Sequence, residues 1–110
     1  MKIQTNNKLA HLQCEYIELT EQTKMLQNQV QPLQVQLSQL NAYLSANQGD
    51  KSATTQYRDT QRRLSSLSNQ IRRNQNRLAS MEMRINQECA RIQMQQQKQL
   101  ARQQAKMMRY

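Results

Sequence analysis

Arginine recurs at a fixed interval through the second half of this chain. Arg63, Arg77, Arg84 and Arg91, followed by Lys98, are separated by seven residues or a multiple of seven, so on a helix they share one edge. Nearer the end, Lys98, Arg102, Lys106 and Arg109 fall three or four apart and form a second basic stripe with no acid beside it. Cations in such rows can take an acidic protein surface or a line of phosphates. They can equally be solvated residues whose methylene stems cover an apolar seam. These eight residues are the candidate partner-binding set.

No other constellation in the sequence carries chemistry. Acid–base or nucleophilic catalysis needs a nucleophile beside a base, or paired carboxylates in a pocket, and the only histidine is His11. With a single glycine, Gly49, there is no phosphate-cradling loop. Cys14 and Cys89 lack metal-ligand spacing and read as free thiols in a cytosolic protein. The expectation is a non-enzyme with no catalytic residues, no metal, no cofactor and no small-molecule substrate. The N-terminal stretch lacks the apolar core of a secretory signal, and no run of 18 apolar residues occurs. A cytoplasmic location follows as the expectation.

Charge is segregated along the chain. Residues 1–52 carry four bases and four acids, while residues 53–110 carry twelve bases and three acids, so the whole net charge of +9 lies in the second half. Across 110 residues there is no Trp and no Phe, and hydrophobic residues make up 36%. That supply is too thin for a globular core but sufficient for a narrow seam of two residues per heptad.

The elements that position the cations are legible from that seam. Leu9, Leu12, Tyr16, Leu19, Thr23, Leu26, Val30, Leu33, Leu37, Leu40 and Leu44 recur at alternating steps of three and four, the pattern of a helix that lays one edge against another helix. With Leu9 at a and Leu12 at d, Pro32 falls at c without interrupting the phase. It should kink the helix rather than end it. In the second half Tyr57, Leu64, Ile71, Leu78, Ile85 and Ile92 form an a row, with Thr60, Leu67, Asn74, Met81, Glu88 and Gln95 at d. Between the two halves, Gly49 suits a helix end with positive φ, and Asp50 or Ser52 suits the next N-cap.

These features predict an all-α fold: a long antiparallel two-helix coiled-coil hairpin with a projecting basic C-terminal helix. Residues 1–8 would be a frayed N-terminus, 9–92 the hairpin with its turn at about 48–53, and 93–110 a basic helical tail. Matching a against d with facing numbers that add to 104 puts the apex at Ser52 and pairs Leu40 with Leu64 and Leu33 with Ile71. The same register sets Glu88 against Tyr16, Arg91 against Glu15 and Arg63 against Tyr43. Ile17, Met25, Val35 and Ala42 lie off the seam, so a dimer of hairpins forming a four-helix bundle is also expected as an oligomer.

In general layout the chain resembles the small stalk proteins of flagellar and type III secretion export ATPases, which are polar, often basic helical hairpins with free helical ends. That resemblance implies a stalk or chaperone role in an export apparatus, as an alternative to the leading expectation. The leading expectation is a coiled-coil adaptor or assembly scaffold that meets an acidic protein partner with its basic helix. Two other occupants remain open on the charge alone: nucleic acid along the arginine edge, and an anionic membrane surface under the tail, where Met94, Ala101, Ala105 and Met108 flank the basic stripe.

Overall fold

The computed structural model describes the backbone of residues 2–108 and the side chains of residues 7–108. Helix α1 spans Lys2–Ala46 and helix α2 spans Lys51–Met108. They pack on each other as a hairpin, with no strand among the described residues. The frayed N-terminus expected over residues 1–8 falls mostly on side chains outside the described residues; Asn7 and Lys8 are helical and exposed.

Burial reproduces the 3,4 pattern. On α1 from Asn7 onward, every a and d residue from Leu9 to Leu44 is buried or half-buried, and the only other side chain not fully exposed is Thr20. On α2 the most enclosed side chains are Ala53, Thr60, Leu67 and Glu88, all at d, and the a row from Tyr57 to Ile92 is half-buried. Two threonines sit in the seam because each hydroxyl has an acceptor one turn back: Thr23 Oγ1 donates to the Leu19 carbonyl at 2.7 Å and Thr60 Oγ1 to the Gln56 carbonyl at 2.8 Å. A buried hydroxyl without such an acceptor would be costly.

Helix α1 runs through Pro32 without a break. The ring's fixed φ is compatible with the helix, and the hydrogen bond it cannot make would end on Asn28, on the solvent side. Past Ile92 the burial stops. Every residue from Gln93 to Met108 is helical and exposed.

The turn is shorter than expected. Asn47 N still donates to the Tyr43 carbonyl at 3.0 Å, and Asp50 N closes a four-residue turn on the Asn47 carbonyl at 3.2 Å. Asp50 then caps α2: its Oδ1 accepts from Ala53 N at 3.1 Å, and its carbonyl accepts the first helical bond from Thr54 N at 3.1 Å. Tyr43 Oη reaches across the turn and donates to Asp50 Oδ2 at 2.8 Å. Gly49 does not adopt a positive φ. The left-handed cap expected there is corrected, because Asp50 and the Asn47 carbonyl reverse the chain within ordinary backbone conformations.

The chain divides into two compact units: Leu19–Arg77, which holds the turn, and a second formed by the residues before Leu19 together with those from Leu78 on. Each unit corrects the expected register by one heptad. In Leu19–Arg77, Pro32 and Leu33 share a groove with Arg63, Ser66 and Leu67, and Leu37 shares another with Arg58, Gln61 and Leu64. Those levels match Leu33 with Leu64, Val30 with Leu67 and Thr23 with Asn74. In the other unit Lys8 Nζ lies 3.8 Å from Glu88 Oε2, which puts Leu9 level with Glu88 and Leu12 with Ile85. The physical reason is the cap. With α2 starting at Lys51, the apex falls at Gln48–Gly49 rather than at Ser52, and a shift of one heptad still sets a against d.

Candidate partner-binding surface

The register decides which charged groups share an edge. In Leu19–Arg77 the g residues of α2 are Gln56, Arg63, Gln70 and Arg77, and those of α1 are Gln22, Gln29, Gln36 and Tyr43. Gln29, Arg63 and Gln70 line one groove together, so the g edges of both helices form one flank. On the opposite flank the e residues, Thr20, Gln27, Gln34 and Asn41 facing Thr54, Gln61, Ser68 and Gln75, are themselves uncharged, but Arg58 and Arg62 line a groove there with Leu37 and Gln61. The g-edge cations of this unit, Arg63 and Arg77, face only glutamines across the seam.

In the second unit Lys8 and Glu15 are the g residues of α1, and Arg84, Arg91 and Lys98 those of α2. The pairing expected between Glu15 and Arg91 does not occur. Glu15 Oε1 instead meets His11 Nε2 at 2.9 Å on its own helix, and Arg91 Nη2 donates to Glu88 Oε1 in a short ion pair. The heptad shift is the cause, because it moves Arg91 from beside Glu15 to beside Lys8. Glu88 then stands in the seam between two cations, with a side chain only 8% exposed. The Arg91 hydrogen bond and, after it, the charges of Arg91 and Lys8 hold its carboxyl below the usual glutamate value, and the Glu88 hydrogen bond raises Arg91.

The cation–π contact expected between Tyr43 and Arg63 is likewise replaced. The Tyr43 hydroxyl is engaged by Asp50, which raises its pKa first through that hydrogen bond and then through the carboxylate's charge. Asp50 is lowered, first by the Ala53 amide and then by Tyr43.

Of the candidate residues, Arg63, Arg77, Arg84, Lys98, Arg102 and Lys106 are exposed and make no ion pair among the described residues. Arg91 is tied to Glu88, and Arg109 lies outside the described residues. The structure brings Arg63 and Arg77 onto the flank of one unit, and Arg84, Arg91 and Lys98 onto the flank of the other. Arg102 and Lys106 continue along the exposed end of α2. Sequence reading missed the role of Glu88 as the shared acceptor of Lys8 and Arg91; its signal was an acid at a d position, three residues before an arginine.

Cys14 and Cys89 are free thiols. Among the described residues no group of three or more His, Cys, Asp or Glu side chains is placed to hold a metal ion, and no helix is long and apolar enough to cross a membrane.

The fold and surface define an all-α helical hairpin with exposed cations along the g edge of α2. Compared with known families, curated proteins and solved structures, this chain matches no family model, no curated protein and no solved structure.

Proposed function

We propose that this protein is a non-enzymatic coiled-coil adaptor or assembly scaffold that engages an acidic protein partner through the g-edge cations and the basic end of α2. The observation that carries this reading is a g edge whose arginines meet no acid. Arg63 and Arg77 are exposed, make no ion pair among the described residues and lie along an edge whose facing residues are glutamines, so a partner bringing acids would complete that edge.

A protein partner fits better than nucleic acid. Binding single strands uses aromatic faces on which bases stack, and here Tyr16 and Tyr57 are half-buried in the seam while Tyr43 is engaged at the turn. A stalk or chaperone role in an export apparatus is a narrower form of the same proposal, supported by the hairpin and its exposed helical end. The free thiols fit a cytoplasmic setting. A dimer of hairpins is less well supported, since the exposed Ile17, Met25, Val35 and Met83 occupy b, c and f positions and make no continuous second stripe.

The test is affinity purification from the native cell with the wild-type chain and with Arg84, Lys98 and Arg102 all changed to Gln. One acidic protein retained by the wild type and lost by the variant supports the proposal. Recovery of nucleic acid, abolished by nuclease, would turn the reading to the second class. Flotation of the protein with anionic liposomes would turn it to a membrane surface.

A further inference from the structure

The groove on the g-edge flank of Leu19–Arg77 has a volume of about 540 Å³. Its floor is Leu33 and Leu67, its sides are Gln29 and Gln70, and Arg63 stands at its rim. Pro32 also lines it. One heptad beyond Gln70 the same edge carries Arg77.

We propose that this groove seats a third helix, supplied by an acidic partner, whose carboxylates two heptads apart reach Arg63 and Arg77 while an apolar side chain between them rests over Leu33 and Leu67. The inference rests on the adaptor reading above and names the surface and the partner's chemistry.

Three features select that occupant. Arg63 and Arg77 are fourteen residues apart, roughly 21 Å along the helix at about 1.5 Å per residue, and a partner helix repeats its own side chains at the same interval. The groove is too small to swallow a helix, but it fits the knobs of one that rides along the two edges, as in a three-helix coiled coil. Finally, the α1 side of the flank offers only Gln22, Gln29 and Gln36; these amides can hydrogen-bond a carboxylate but cannot neutralise an arginine, so the charge is left for the partner to supply. A phosphate backbone would find two cations far apart over an apolar floor, a poor match to closely spaced charge.

A synthetic helical peptide of about three heptads, with Leu at a and d, Glu at e and g and Ala elsewhere, serves as the probe. It is fluorescein-labelled, kept below its own self-association concentration, and titrated with the full chain at roughly 0.15 M salt. The wild type should bind it saturably. Ser66→Tyr fills the groove from an exposed position and should weaken binding by about tenfold or more, with unchanged helicity by circular dichroism. Arg63→Gln together with Arg77→Gln should weaken it by roughly three- to tenfold and flatten the salt dependence. Arg58→Gln removes the same charge outside the groove and should change nothing.

Peptide binding that ignores Ser66→Tyr, or that Arg58→Gln weakens as much as Arg63→Gln, overturns the groove but leaves the adaptor reading standing. No peptide binding also overturns the groove, and the capture experiment then judges the adaptor separately. Binding of random-sequence duplex DNA in place of the peptide overturns both.

Discussion

Lys8 Nζ and Glu88 Oε2 stand 3.8 Å apart, joining the first turns of α1 to the late part of α2. This contact places a carboxylate at a seam position that otherwise asks for a hydrocarbon, and Arg91 holds its other oxygen. Enclosing the carboxylate offsets much of its Coulomb attraction with desolvation, even though both cations reach solvent. The contact's stronger effect is on register, because sliding the helices by a heptad would strip Lys8 from Glu88.

Glu88→Leu is accordingly expected to raise the thermal midpoint, since a leucine opposite Leu9 removes the desolvation cost and leaves Lys8 and Arg91 free to reach water. Lys8 is 67% exposed and Arg91 44%, so neither is stranded. The same variant should make the register less exclusive. Spin labels on exposed Asn7 and Ala90 would report that as a broadened distance distribution. A lowered melting temperature would show that the ion pair stabilises the fold outright.

Acid should weaken the hairpin through two carboxyls. Asp50 and Glu88 are both held below their ordinary values of 3.8 and 4.5. A carboxyl depressed in the folded state binds its proton more readily when unfolded. Its stabilising contribution is therefore complete above the ordinary value and is lost as pH falls through the folded one. Melting followed by circular dichroism should be flat from pH 7 down to about 5 and decline below about 4.5. A variant carrying Asp50→Asn and Glu88→Gln should start lower and lose less on acidification. An equally steep acid loss in that variant would place the titrating groups elsewhere.

Gly49 offers a test of the turn. Its φ is not positive, and a methyl group at this position would meet nothing within 4 Å. Gly49→Ala should therefore stabilise the protein by about 0.4–1 kcal/mol, through lost freedom in the unfolded chain. Chemical denaturation measures it. A loss of stability would mean that the turn uses a conformation only glycine adopts.

The seam could be read from the sequence because burial follows a period, and a period survives without knowledge of the partner strand. That is why every seam position from Leu9 to Leu44 follows from the sequence alone. Register could not be read the same way. Moving α2 by seven residues keeps each leucine facing a seam residue, so the pattern alone leaves the two pairings comparable. What separates them is local chemistry at a few atoms: the Asp50 oxygen on the Ala53 amide, the Tyr43 hydroxyl on the other oxygen, and Glu88 between Lys8 and Arg91. Arg91 followed the register to Glu88 and Lys8, while Glu15, now level with Arg84, meets His11 on its own helix. Composition showed that the cations lie in α2; only the packed pair shows that in Leu19–Arg77 the g arginines face glutamines and not acids.

The strongest demand on the seam falls at Leu67, 7% exposed and level with Val30 in the observed register. Its side chain also forms part of the groove floor, so stability and partner binding meet at one residue. Leu67→Ala should cost about 2–4 kcal/mol by removing buried methyl groups from a seam that cannot close around the gap. Val35→Ala removes methyls from a side chain that is 49% exposed and should stay within about 0.5 kcal/mol. Urea denaturation of the two variants compares them directly. Because a narrow seam has few layers to share the loss, Leu67→Ala should also lower helicity before any denaturant is added. Equal small effects from both substitutions would mean that the two helices do not meet along this edge.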